Sequence, residues 1–219
     1  TEPIKNHNIV FKDVSFSYDD RPILKNVSAE IKENTMTAIV GPSGSGKTTF
    51  CNLIARFWDV NSGKVNVGKT NIKEYKYDEL LSNFSFVFQD VYLFDDTVRN
   101  NIKFGNPNAT DEEMIAALHK SCADFVMELP HGLDTVCSES GGGLSEGQAQ
   151  RIGIARALLR DRSIMLFDEA TSALDPETER QLLSNILASR DKTIIFITHR
   201  LAVVDYSDQT LRLERLESN

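Results

Sequence analysis

The chain is poor in cysteine, short of positive charge and free of long apolar runs. Its 219 residues hold three cysteines, Cys51, Cys122 and Cys137. They are scattered and odd in number, with no C-x-x-C pair. That argues against a disulfide framework or a thiolate metal site and reads as reduced cytosolic thiols. Lys and Arg number 24 against 32 Asp and Glu, a net charge of −8. A broad nucleic-acid footprint needs the opposite sign, so nucleic acid is not an expected partner. No apolar stretch reaches the roughly 18 residues that a membrane helix needs. There is no internal repeat, low-complexity tract or signal peptide. The chain opens TEPIKNHNIV, without an initiator Met, and reads as a piece of something larger.

What is present is a core and a phosphate loop. Hydrophobic residues make up 41% of the chain, enough to fill one large α/β domain or two small lobes. Residues 41–49 read GPSGSGKTT after the apolar run Met36-Thr37-Ala38-Ile39-Val40. They fit G-x-x-x-x-G-K-[ST] through Gly41, Gly46, Lys47 and Thr48. A triphosphate is a dense cluster of negative charge that backbone N–H groups must approach, and side chains would block that approach. Gly41, Gly44 and Gly46 suit it. Lys47 supplies a point charge between the outer phosphates, and the Thr48 hydroxyl can ligate Mg²⁺. A helix that follows adds the positive end of its dipole. Phe50, Leu53, Ile54 and Phe57 recur at the spacing of one helix face.

The first 35 residues predict antiparallel strands. Val14, Phe16 and Tyr18 alternate with polar neighbours, as do Val27, Ala29 and Ile31, and Val65 and Val67 continue the pattern after Gly63. Ile164–Phe167 and Thr193–Ile197 are continuous apolar runs, as expected of strands buried on both faces of a parallel sheet. Between residues 90 and 160 no strand is evident. Thr110 to Glu113 and Ser145 to Gln148 are capping boxes that open helices. The expected fold is α/β: a P-loop NTPase core with a mostly parallel sheet, an N-terminal antiparallel β subdomain and an inserted α-helical subdomain. The core lobe is expected over about 1–89 and 161–219, the helical lobe over about 90–160.

Several strand ends carry candidate chemistry. Asp168-Glu169 ends the first buried strand, where open α/β sheets bind ligands. One carboxylate can hold Mg²⁺ through water, and the next can orient and deprotonate an attacking water. His199 follows the second buried strand on the same edge and can contact a terminal phosphate. Gln89 follows the run Phe84–Phe88, and its amide can reach Mg²⁺ or the attacking water. Each has a plainer reading as an ordinary strand-end residue. Asp175-Pro176 reads as a helix N-cap with proline at the first helical position. Tyr18 ends an early strand, where its ring can stack on adenine or simply half-bury on the sheet. His7, His119 and His131 read as surface or packing residues.

Leu144-Ser145-Glu146-Gly147-Gln148, together with these motifs in this order, resembles the nucleotide-binding domain of ATP-binding cassette (ABC) transporters, from about Ile9 to Leu213. GPSGSGKTT, with Pro42, Ser43, Ser45 and Thr49 beside the residues already named, matches the family's Walker A. SIMLFDEA (163–170) matches its Walker B, with Glu169 as catalytic glutamate. LSEGQ matches the signature, Gln89 the Q-loop, and Ser172-Ala173-Leu174-Asp175 the D-loop. His199 is similar to the switch histidine and Tyr18 to the adenine-stacking aromatic. QDVYLFDDTVRNNIKFG (89–105) and LPHGLDTVCSESGGGLSEGQ (129–148) resemble the exporter branch, with Glu139 at the X-loop position. The resemblance implies that Gln89 and Glu139 transmit nucleotide state to a transmembrane domain absent from this chain. Glu146 departs from the usual LSGGQ: either its side chain points away or that half-site is weaker. Phe88 stands where a proline often precedes the Q-loop glutamine.

The resemblance further implies ATP and Mg²⁺ as ligands, with Thr48, Gln89 and, through water, Asp168 on the metal. It implies a head-to-tail dimer, homo- or heteromeric, in which Ser145, Gly147 and Gln148 of one domain meet ATP on the other. ATP hydrolysis would then power export at the cytoplasmic face of the cell membrane. The alternatives are the ATPase subunit of an ABC importer, a soluble ABC ATPase and a non-hydrolysing regulatory module. The exporter-like segments, the acidic charge and the intact Lys47, Asp168, Glu169 and His199 disfavour them in turn.

Overall fold

The computed structural model describes residues 3–138 and 143–216. Its first elements are β1 (Ile9–Tyr18), β2 (Arg21–Ile31), β3 (Met36–Val40), α1 (Lys47–Ile54), β4 (Ser62–Val67), β5 (Thr70–Asn71), α2 (Tyr77–Leu81) and β6 (Phe84–Phe88). Then come β7 (Asp96–Thr97), α3 (Val98–Lys103), α4 (Asp111–Lys120), α5 (Phe125–Glu128), β8 (Val136–Cys137) and α6 (Glu146–Arg160). The chain ends with β9 (Ile164–Asp168), α7 (Pro176–Leu187), β10 (Thr193–Ile197), α8 (Leu201–Tyr206) and β11 (Gln209–Arg212). The strands form sheets in the orders β2-β1-β4-β5, β11-β3-β10-β9-β6 and β7-β8. The first is antiparallel, β3 lies parallel to both β10 and β11, and the third is a small antiparallel ladder. The antiparallel front, parallel sheet and helical segment expected from the sequence are all present. Among the described residues no helix is long and apolar enough to cross a membrane.

The chain divides into two units, the first comprising Thr1–Phe84, Ser163–Leu166 and Arg190–Asn219. Within it, β1 shows why simple alternation does not run through the strand. Ile9 and Phe11 are buried, and so are Val14 and Phe16, although the two pairs are out of step by one residue. The register shifts between Phe11 and Val14, where Asp13 takes a left-handed backbone at φ 48°. That bulge turns the second half of the strand back to the same face. Phe11 then stacks on Phe50 of α1, ring centroids 4.0 Å apart. Met36, Thr37, Ala38 and Ile39 of β3 are fully buried between β10 and β11. Phe57, expected on the face of α1, lies beyond its end and is half exposed. Arg56 takes a left-handed backbone (φ 56°) and stops the helix first.

The second unit comprises Ser85–Arg162 and Phe167–Ser189. Its core gathers Val98, Ile102, Met114, Leu118, Val126, Ile152 and Ala155, all almost completely buried. Both expected capping boxes form. Thr110 Oγ1 accepts from Glu113 N while Glu113 Oε2 accepts from Thr110 N. Ser145 and Gln148 do the same at 3.1 and 2.9 Å. One expectation fails: the stretch between 90 and 160 is not strand-free, because Asp96 pairs with Cys137 and Thr97 with Val136. Two residues are too few to leave a periodic trace. The turn before them is pinned by buried Asn101, whose amide accepts from Phe94 N at 2.7 Å and donates to the carbonyls of Phe94 and Thr97.

Candidate functional site: a phosphate-binding loop and strand-end carboxylates

In the first unit β3 delivers the chain into residues 41–46, and α1 starts at once with Lys47. Each glycine of the loop has its own reason. A Cβ on Gly41 would sit 2.3 Å from the carbonyl oxygen of Leu213, and one on Gly46, itself at φ 91°, 2.9 Å from Leu24. Gly44 differs: the nearest atom to a Cβ there is Arg215 Nε at 4.0 Å, so space is not what excludes a side chain. Its backbone stands at φ 78°, the left-handed region that side chains disfavour. Lys47 is nearly buried and folds back over the loop, donating to the carbonyls of Gly41 at 2.8 Å and Pro42 at 3.0 Å. Ser45 N donates to Pro42 O at 3.2 Å, which closes the turn around Ser43 and Gly44. The Ser45 hydroxyl is buried without a hydrogen-bond partner. The first turn of α1 carries no acidic side chain, so no side chain of that turn offsets the positive end of its dipole. A glycine cradle, a buried ammonium, an orphan hydroxyl and a bare helix start fit a polyphosphate anion.

The aromatic residue flanking this loop is Tyr18, at the end of β1. Its hydroxyl accepts from Thr49 Oγ1 at 3.3 Å, which ties the ring to α1. Trp58 packs edge-on against it, centroids 5.1 Å apart, and is itself half exposed. The sequence reading did not single out Trp58; its position four residues past α1 carries no periodic signal. His199 is exposed two residues beyond β10. The intervening Thr198 donates from N to Ile39 O of β3 at 3.2 Å. His199 therefore leaves the same edge of the parallel strands as the phosphate loop. Among the other histidines, His7 N donates to Glu33 and exposed His119 meets Asp124 at 2.8 Å.

In the second unit Asp168 closes β9 and Glu169 follows with a left-handed backbone, φ 50°. For a residue other than glycine that is a strained conformation, of the kind that clusters at working sites. Ser172 N donates to Glu169 O at 3.2 Å and turns the chain toward α7. There Asp175 caps the helix through Thr178 N at 3.0 Å and Thr178 Oγ1 at 2.6 Å, with Pro176 behind it as expected. The Thr178 hydroxyl holds the Asp175 carboxyl below the usual carboxylate range. Gln89 is exposed directly after β6. Ser145 is the N-cap of α6 and is exposed, as is Glu146 beside it. A serine oxygen that accepts one N–H retains a donor and a second lone pair, so capping leaves Ser145 able to meet a further ligand. Glu139 lies outside the described residues. The sequence reading also passed over Gln150, whose buried amide bonds to the Gln89 carbonyl.

Comparison with known proteins follows the same lines. The family description "ABC transporter" matches residues 24–172. The chain is 42% identical over 215 residues to an ATP-dependent lipid A-core flippase of Mannheimia succiniciproducens, covering 96% of this chain and 37% of that protein. It is 45% identical over 213 residues to the mitochondrial iron-sulfur clusters transporter ATM1 of Saccharomyces cerevisiae, covering 95% of this chain and 31% of that protein. Its fold superposes with TM-score 0.91 and 40% identity on a bacterial Atm1-family ABC exporter solved with ATP bound, covering 98% of this chain and 38% of that one. The chain thus spans about a third of the length of these relatives. The family match covers more than half of the residues, and the chain belongs to the ABC transporter family as a nucleotide-binding domain of the exporter type.

Proposed function

We propose that this chain binds ATP with Mg²⁺, hydrolyses it, and powers export through a transmembrane region that lies outside it. The observation that carries the reading is the 41–49 loop: Gly41 and Gly46 pack too closely on Leu213 and Leu24 to carry a side chain, Gly44 stands at a left-handed φ, buried Lys47 donates to the loop's own carbonyls, and the Ser45 hydroxyl is buried without a partner. Relatives named as ATP-dependent flippases and an ATP-bound exporter with the same fold support it.

In this reading Gly41 to Thr49 wrap the phosphates, with Gly44 at the crest of the loop and Lys47 on the outer phosphates, and Tyr18 stacks on the base. Glu169 takes the proton of the attacking water, Gln89 orients that water and His199 contacts the terminal phosphate. Thr48, Gln89 and Asp168 would hold Mg²⁺, which neutralises charge on the phosphates when bound. Ser145, Gly147 and Gln148 act on the nucleotide of a second domain, identical or related, in a head-to-tail dimer. Asp175 lies at that interface, and Glu139 relays nucleotide state to the transmembrane region. ATP that bridges two domains favours their closed pairing, and hydrolysis releases it. The chain then works at the cytoplasmic face of a membrane without itself entering it.

Equilibrium ATP binding and phosphate release by the purified chain test the proposal together. Micromolar-to-millimolar ATP binding with turnover that Lys47→Ala abolishes is the expected result. A wild-type chain that binds no ATP overturns it.

A further inference from the structure

Gln150 is 1% exposed, and both ends of its amide are used. Its oxygen accepts from Ala173 N at 3.1 Å, and its nitrogen donates to Ser172 Oγ at 3.0 Å and Gln89 O at 3.2 Å. A backbone N–H can only donate and a carbonyl can only accept, so the partners at both ends fix the amide's orientation. One turn earlier on the same face of α6, Gly147 lies against the same loop: a Cβ there would meet Ala173 O at 2.8 Å. Gln150 thus joins three segments distant in sequence: the turn leaving β6, the loop after β9, and α6. The link continues one step further. Ser172, held by its hydroxyl to Gln150, donates its own N–H to the carbonyl of Glu169 at 3.2 Å. Glu169 is one of the non-glycine residues held in a left-handed backbone, at φ 50°.

A strained backbone persists only where its surroundings over-determine it. A methionine would fill the volume of Gln150 as well; only an amide of this length supplies a donor and an acceptor at fixed reach. We propose that Gln150 is a positioning residue for ATP hydrolysis. It braces the Glu169 turn through Ser172 and locks the Gln89 turn to the same point. This rests on the reading of the chain as an ATPase.

The test compares Gln150→Met and Gln150→Glu with wild type. Turnover is normalised to sites counted by equilibrium ATP binding. Gln150→Glu keeps the acceptor for Ala173 and loses both donors. In both variants kcat per site should fall about tenfold to a hundredfold, the cost of an ångström-scale misplacement, while KM stays within about twofold because the phosphate loop is untouched. Ser172→Ala should lower kcat as well, and combined with Gln150→Met it should add little, since both break one link. Unchanged kcat per site in Gln150→Met, or fully additive losses with Ser172→Ala, overturns the proposal. If the Gln150 variants do not fold, Ser172→Ala alone decides: unchanged kcat overturns it. A wild-type chain without ATP turnover overturns the ATPase reading instead. The brace is then judged by hydrogen exchange at the Ala173 amide, which Gln150→Met must accelerate.

Discussion

The ammonium of Lys47 lies 2.8 Å from the carbonyl oxygen of Gly41, six residues back on the same loop. A lysine held by neutral carbonyls in a nearly buried position is a charge without a counter-ion of its own loop. An anion that enters the cradle supplies one, and the outer phosphates are the part of ATP with most charge to offer. Lys47→Ala should therefore weaken ATP more than ADP. Titration calorimetry with both nucleotides checks this, and equal losses would contradict the assignment to the outer phosphates.

Tyr18 predicts the opposite pattern. Its ring faces Trp58 and its hydroxyl is tied to Thr49. Tyr18→Ala should weaken ATP and ADP alike, by about 1–3 kcal/mol, because both carry the base that it stacks on. Tyr18→Phe keeps the ring and should cost much less. A loss confined to ATP would remove Tyr18 from the base-stacking role.

Glu169→Gln keeps shape and removes the base. Turnover should fall about 10²–10⁴-fold while ATP binding survives. Uncleared ATP should then hold a dimer that size exclusion detects. Near-normal hydrolysis by the variant would take Glu169 out of the base role.

Ser145 caps α6 on an exposed surface, and its proposed ligand belongs to another domain. Ser145→Arg should leave ATP binding by the isolated chain almost intact and abolish hydrolysis. The wild-type specific rate should rise with protein concentration. A rate flat over a wide range, from a chain shown to be monomeric throughout, would sink the shared site.

Acid should weaken the first unit through Asp208. Its carboxylate accepts from Met36 N at the start of β3 and from Arg190, both at 2.8 Å. The Met36 bond first, then Arg190, holds its pKa below the ordinary 3.8. A group depressed on folding stabilises fully above its unfolded pKa, and that stability drains as pH falls through the folded value. Asp208→Ala should thus cost about 1–2 kcal/mol at pH 7, and the difference from wild type should shrink below about pH 4. Urea melts of both proteins across that range measure it; a gap independent of pH would mean that the charge is not involved.

What the sequence determined by itself is what short-range chemistry decides. The phosphate loop, the two capping boxes and the Asp175-Pro176 helix start are complete within a few residues, so their residue types suffice. The buried strands β9 and β10 were readable because burial on both faces demands an unbroken apolar run. Only the tertiary structure decided what depends on a distant partner. The bulge at Asp13 brings Ile9 and Phe11 onto the face of Val14 and Phe16, which pattern alone separates. The Asp96–Cys137 ladder and the Tyr18–Trp58 pair join segments whose own patterns carry no mark of each other. β11 pairs with β3 although it is four residues long and half exposed. Even within the phosphate loop the glycines are not alike: Gly44 answers to its own backbone angle, whereas Gly41 is hemmed in by Leu213, far along the chain. Gln150 looked like any polar residue of a helix until the loops it bonds were brought to it. A hydrogen bond between segments far apart along the chain gains its strength from burial, and burial exists only once the chain has closed around it.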